Sequence, residues 1–249
     1  MEIILNRPEH LLDKLRGACR IVVLTGSGIS AESGVPTFRD AQTGLWAQFE
    51  PEQLATPEAF EENPQRALDW YAWRRELISR AEPNAGHLAI ARIQELVPEL
   101  ILITQNVDGL HQRAGSRDVI ELHGNIFRMK CFNCNEPAPD WDKTNPSQSC
   151  CKYCGGLLRP DVVWFGEALS DGTYGAAKEA VRNCDLFMSI GTSSQVYPAA
   201  VLPFEAVERG ATVVQINPNA TPLNDVTPFN FMGKAGEVLP KLVKAVWGK

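Results

Sequence analysis

Three groups of residues in this chain have types and spacings that can do chemistry. The first is Cys131-x2-Cys134 followed, after sixteen residues, by Cys151-x2-Cys154. Each C-x-x-C turn aims two sulfurs at one point, and two such turns complete a tetrahedron of four thiolates around one zinc ion. Four protein ligands leave no coordination position open, so the metal is expected to be structural. Cys150 could stand in for Cys151, but the 151/154 pair keeps the symmetrical spacing. The second group is Gly26, Gly28 and Ala31, a G-x-G-x-x-[G/A] pattern directly after the apolar run Ile21–Leu24. A strand running into a glycine turn and a helix start is suited to holding a pyrophosphate, because glycines admit close backbone approach and a helix N-terminus presents N–H groups. The third is Tyr71 and Arg74, three apart and so on one face of an expected helix. A guanidinium binds a carboxylate through two parallel hydrogen bonds, and a phenol can add a third.

Composition narrows the classes. With 249 residues, 44% hydrophobic and 22% charged, the chain suits one large or two smaller globular domains. A net charge of −6 and few basic residues around the cysteines argue against a nucleic-acid partner. No apolar run reaches the length of a membrane span, and the N-terminus is too short and acidic for a targeting peptide. Seven cysteines, four of them in metal spacing, fit a reducing compartment; Cys19 and Cys184 are expected to pack in the core. A cytoplasmic protein is the expectation, as a monomer by default.

The elements that must position these groups alternate. Helical spacing covers Glu9–Arg20, a strand Ile21–Leu24, and a helix opens at Ala31-Glu32 but stops at Gly34 and Pro36. Thr37–Asp40 reads as an ordered loop. Helices are expected at Pro51–Leu54, Pro57–Phe60 and Pro64–Ser79, the last capped by Asn63, and another after Asn84. Leu100–Ile103 is a short apolar strand ending in Thr104–Gly109, and Val119–Leu122 another, delivering His123. No strand is expected between Asp40 and Leu100, where a dehydrogenase places the acidic residue that holds the adenosine ribose. Asn125–Arg159 reads as an inserted module without clear periodicity. Strand character returns over Asp161–Glu167, followed by a helix at Tyr174–Asn183, a strand at Leu186–Ile190, a helix at Pro198–Arg209, a strand at Thr212–Ile216 and a helix at Gly236–Trp247. The fold class is therefore α/β, a Rossmann-like doubly wound parallel sheet with a smaller zinc-ribbon module. Residues 1–33, 84–122 and 161–249 are expected to form the dinucleotide-binding domain, and 34–83 with 123–160 the smaller one.

The ordered motifs GSGIS-AESGVPTFR (Gly26–Arg39), QNVD (Gln105–Asp108), LHG (Leu122–Gly124), the paired C-x-x-C, VVWFGE (Val162–Glu167) and GTSS (Gly191–Ser194) resemble those of sirtuins, NAD-dependent protein lysine deacylases. The likeness runs from about residue 10 to 247. It implies NAD as co-substrate, one structural zinc, and acyl-lysine proteins as substrates. By this resemblance Gly26, Ser27, Gly28, Ser30, Ala31, Pro36 and Arg39 hold the NAD phosphates and ribose, and Phe38 shields the reacting ribose carbon. Gln105, Asn106, Val107 and Asp108 line the nicotinamide and ribose pocket, Gly191, Thr192 and Ser193 the adenosine side, with Asn217, Asn219 and Ala235 nearby. Ser27 departs from the alanine many sirtuins carry, and its small side chain leaves the turn intact.

The resemblance makes His123, with Asn106 and Asp108, catalytic. In the implied reaction the acyl oxygen attacks C1′ of the nicotinamide ribose and nicotinamide leaves. His123 then helps deprotonate a ribose hydroxyl, and the products are lysine, nicotinamide and O-acyl-ADP-ribose. An imidazole titrating near pH ~6.5 can accept that proton at neutral pH. His10, His87 and His111 receive no role. Val162, Val163, Phe165 and Gly166 fall where the family binds the acyl-lysine. Tyr71 and Arg74 match the Y-x-x-R signature of sirtuins that prefer succinyl-, malonyl- or glutaryl-lysine, and Ala59 matches a small residue that widens their acyl pocket. A plain deacetylase, or an ADP-ribosyltransferase working in the same cleft, are the alternatives this resemblance leaves open.

Overall fold

A computed structural model describes residues 8–36, 53–142 and 149–248. Phe38, Arg39, the loop expected at Thr37–Asp40 and the first residues of the helix expected at Pro51–Leu54 lie outside the described residues.

The core is a six-stranded, all-parallel sheet. It contains β1 (Arg20–Thr25), β2 (Glu99–Thr104), β3 (Ile120–Glu121), β6 (Leu186–Ile190), β7 (Thr212–Asn217) and β8 (Phe229–Met232), in the order β3-β2-β1-β6-β7-β8. Its central strands are nearly continuous apolar runs because helices cover both faces; all five residues of β1 after Arg20 are buried. On one face pack α1 (Pro8–Gly17), α5 (Ala85–Leu96) and α9 (Ala235–Trp247), through Leu11, Leu15, Ile90, Ile93, Leu239 and Leu242. On the other pack α7 (Asp171–Arg182) and α8 (Leu202–Glu208), through Ala177, Val181, Leu202 and Ala206. Chain order reverses between β1 and β6, so the crevice beyond their carboxyl ends is the switch point where such sheets bind ligands.

A third core lies off the sheet. The helices α3 (Pro57–Glu62) and α4 (Pro64–Arg80) pack there against an antiparallel pair, β4 (Gly124–Cys131) and β5 (Leu158–Val162). As the sequence indicates, Asn63 caps α4, its Oδ1 accepting from the Arg66 N–H at 3.0 Å, and Asn84 caps α5.

Several expectations need correction. Strand character over Asp161–Glu167 ends at Val162, in the small sheet rather than the large one. The Arg159 guanidinium donates to both oxygens of Glu167 (2.5 and 2.9 Å), and Glu167 accepts from the Trp164 N–H at 2.7 Å. This folds 163–167 back on itself, and Val162 and Trp164 join the third core. In β4 a bulge between Asn125 and Met129 breaks the inside–outside alternation, so the sequence carries no strand period there. The strand β8 has no sequence signal either, being four residues long with the polar Asn230 inside it. The helix expected to open at Ala31-Glu32 instead spans Ser27–Ala31 (α2) and ends there, with Gly34 at φ +77 in the turn beyond. The first helix stops at Gly17 because Arg20 already pairs with Glu99 in the sheet, and Cys19 is exposed rather than packed. The stretch Pro198–Arg209 divides into a 3-10 turn, Ala199–Val201, and α8. Among the described residues no strand lies between β1 and β2, and no helix is long and apolar enough to cross a membrane.

Candidate functional site

The carboxyl ends of β1, β2, β6 and β7 bring the sequence motifs together. His123 follows β3 by two residues and is half-buried. Its Nδ1 lies 2.9 Å from the Gln105 carbonyl oxygen. A carbonyl only accepts, so Nδ1 carries the proton and Nε2 of the neutral ring keeps its lone pair. Burial draws the His123 pKa below its usual 6.5, opposed by the bond to Gln105. Near neutral pH this ring is thus an unprotonated acceptor.

Behind it lies a buried polar network. Ser30 Oγ donates to Asp108 Oδ2 at 2.7 Å, and Asn106 Nδ2 donates to Ser30 Oγ at 2.9 Å and to the Gly26 carbonyl at 3.1 Å. Asp108 Oδ1 accepts from the Leu110 N–H at 2.9 Å, while burial raises the Asp108 pKa. These bonds fix the QNVD loop against α2, tying the ends of β1 and β2 into one surface. His87 and His111, given no role from sequence, pack beside this network with ring centres 4.8 Å apart and planes tilted by 60°. His87 Nδ1 accepts from the Asn84 N–H at 3.3 Å, and His111 Nε2 pairs with Thr25 Oγ1 at 2.9 Å. Burial pushes His87 down to about 4 and His111 down to about 3, so both are neutral supports. His87 sits among the buried, mostly apolar residues of α5, and His111 lies in the one-turn helix α6 (Leu110–Arg113), too short to carry a spacing signal.

The glycines of the turn also meet another loop of the sheet. A Cβ on Gly26 or Gly28 would meet the Gly191 carbonyl oxygen at 2.8 or 2.7 Å, and the Gly28 N–H already donates to that oxygen at 2.8 Å. These glycines let the β1 and β6 loops interlock backbone to backbone. Gly191 itself sits at φ +59, and a Cβ there would come within 2.5 Å of the Ile29 nitrogen. Gly191→Ala is expected to destabilise the protein by about 2–4 kcal/mol through left-handed strain and overpacking; an unchanged urea midpoint would show that the loops do not interlock in solution. Beside Gly191, Thr192 Oγ1 accepts from Gln105 Nε2 at 3.0 Å, and the Thr192 carbonyl accepts from Asn217 Nδ2 at 3.2 Å. Ser193 is half-buried in the same loop, Ser27 and Asn219 are exposed, Pro36 is half-buried, and Ala235 is buried beside Gly86.

On the other side of His123, its carbonyl accepts from the Val163 N–H at 2.9 Å, and the Phe165 N–H donates to Ala55 at 2.9 Å. Val162 is buried, Phe165 exposed, and Gly166 stands at φ +86. Ala59, Tyr71 and Arg74 are buried in the third core or against it. The Arg74 guanidinium lies 5.1 Å from the Trp70 ring, close enough to Tyr71 and Asp108 for both to oppose the lowering of its pKa by burial. Burial raises the Tyr71 hydroxyl to about 12, leaving it protonated. Its oxygen lies 2.9 Å from Trp164 Nε1.

The four cysteines converge as expected. Cys131–Cys154, Cys134–Cys154 and Cys134–Cys151 sulfurs are 3.4, 3.5 and 3.6 Å apart, and all four lie within 4.8 Å of one another. A tetrahedron with zinc–sulfur bonds of about 2.3 Å has edges of about 3.8 Å, so the set fits one zinc ion. The group contains Cys151 rather than Cys150, which is exposed. Asn135 and Gly155, one residue past each pair, adopt φ +58 and +71. Both types tolerate the left-handed turn that closes the knuckle, a signal present in the sequence.

The Sir2 family model matches residues 26–198. A protein described as NAD-dependent protein deacylase from Aquifex aeolicus is 51% identical over 223 residues, covering 89% of this chain and 93% of its own. One of the same description from Methylococcus capsulatus is 47% identical over 248 residues, 96% of each. Among solved structures, a Sir2 homolog–NAD complex has a TM-score of 0.90 at 44% identity, covering 99% of this chain and 96% of its own. A Sir2 structure with a p53 peptide and NAD+ has a TM-score of 0.81 at 31% identity, covering 96% and 98%.

Proposed function

The chain belongs to the Sir2 family, and from that premise we propose that its cleft removes acidic acyl groups, such as succinyl and malonyl, from protein lysines in preference to acetyl. The coarser activity is NAD-dependent protein deacylation. When bound, NAD supplies an electrophilic ribose carbon and a leaving nicotinamide. His123 Nε2 takes a proton from a ribose hydroxyl. Asn106 and Asp108, with Gln105 and Val107, position the nicotinamide ribose. Gly26, Ser27, Gly28, Ser30, Ala31 and Pro36 line the phosphate side, and Gly191, Thr192, Ser193, Asn217, Asn219 and Ala235 the adenosine side. Val162, Val163, Phe165, Gly166 and Ala59 border the acyl-lysine. A reducing, cytoplasmic setting suits four thiols kept as zinc ligands.

The observation that carries the acidic-acyl reading is the buried Arg74 guanidinium, within electrostatic reach of Tyr71 and Asp108. A buried, permanently charged guanidinium favours an anionic ligand, which offsets part of the cost of keeping the cation out of water. The test compares kcat/KM on succinyl- and acetyl-lysine peptides of one sequence with NAD. The wild type is expected to favour succinyl, and Arg74→Met to lose about 100-fold on succinyl with little change on acetyl. Equal losses on both peptides would leave Arg74 a packing residue.

A further inference from the structure

We propose that Trp164 is a positioning residue for acyl selectivity: its indole N–H fills the acceptor side of the Tyr71 hydroxyl, so that the phenolic proton is turned towards the acyl carboxylate. The proposal rests on the acidic-acyl reading above. An indole nitrogen can only donate, so in the 2.9 Å Trp164–Tyr71 contact the phenol oxygen is the acceptor. Tyr71 is 2% exposed, and among the described residues nothing accepts its own proton. A buried O–H without an acceptor is unfavourable, and a carboxylate held by Arg74 on the same face of α4 is the acceptor that would relieve it.

The indole is itself held tightly. The Arg159 guanidinium, 1% exposed, stacks on the Trp164 ring with its carbon 3.2 Å from the ring centre. It reaches both Glu167 oxygens and the Val162 carbonyl, and Glu167 also accepts the Trp164 backbone N–H. Phe60 also packs on it, 5.3 Å away between ring centres. The indole therefore has little freedom to turn its N–H elsewhere, and Tyr71 receives it in one direction. Sidedness of this kind discriminates between acyl groups: a carboxylate accepts the phenolic proton, and an acetyl methyl cannot.

The test is a cycle of Trp164→Phe, Tyr71→Phe and the double variant, with succinyl- and acetyl-lysine peptides. Trp164→Phe is expected to lose about tenfold in kcat/KM on succinyl, mainly through KM, and less than about twofold on acetyl. The double variant is expected to be no worse on succinyl than Tyr71→Phe. Equal loss on both peptides, or additive losses in the double variant, overturns the proposal while a wild-type preference for succinyl keeps the acidic-acyl reading. A wild type that prefers acetyl overturns both. If Trp164→Phe does not fold, Arg159→Lys, which keeps the indole but loosens its clamp, carries the same readout: a selective succinyl loss of about threefold supports the proposal, and an unselective one overturns it.

Discussion

Replacing His123 with tyrosine should lower turnover by about 10²–10⁴-fold and leave the chain folded. The ring's one described hydrogen bond is to the Gln105 carbonyl, a contact worth about 1 kcal/mol. The cost in activity is larger because that bond selects the tautomer. With Nδ1 protonated, Nε2 is the only ring atom that can take a proton, and a phenol at this position holds its own proton at neutral pH. The pH profile checks the same assignment. Burial places the His123 pKa below its usual 6.5, so the working, unprotonated form is complete at neutral pH. Activity should therefore fall only as pH drops below about 6.5, and this acid limb should vanish in a variant lacking the ring. Retained NAD-dependent turnover in His123→Tyr would remove the histidine from its role.

Stripping zinc should have an effect of similar size by a different route. One zinc per chain is expected by elemental analysis, and removal by a chelator, or Cys131→Ser, should abolish deacylation on every acyl peptide. Apparent binding energies of structural zinc sites in finger peptides, about 10–16 kcal/mol, match or exceed the whole stability of an ordinary domain. The cluster's Cys131 and Cys151 pack in the same core as Tyr71 and Trp164, so losing the metal should loosen the acyl side of the cleft. The parallel sheet has its own two cores and should survive. Limited proteolysis should then cut within residues 124–162 first. A metal-free chain with full activity would sink this account.

Much of the site was written in the chain. Apolar runs flanked by helical segments announced β1, β2, β6 and β7, since only strands buried on both faces need so few polar residues. Asn63 and Asn84 marked helix starts because their side chains satisfy N–H groups that every helix leaves open. The metal site was legible from spacing alone, and the placing of Tyr71 and Arg74 in one helix from helical periodicity. These signals are local, and local chemistry is what a sequence records directly.

Other features depend on which distant segments meet. The bulge in β4 and the polar residue in β8 break the periodicity that reveals a strand, and both exist only because a partner strand supplies the register. That Gly191, 163 residues beyond Gly28, occupies the space a Cβ on Gly26 or Gly28 would fill is not visible in the glycine turn itself. The protonated nitrogen of His123, the neutral His87–His111 pair and the bond from the Trp164 indole to the Tyr71 oxygen are likewise tertiary. Sequence by itself determined which side chains could do chemistry here. Tertiary structure decided which partners the atoms of each side chain meet, because hydrogen-bond direction and close packing are set by neighbours far along the chain.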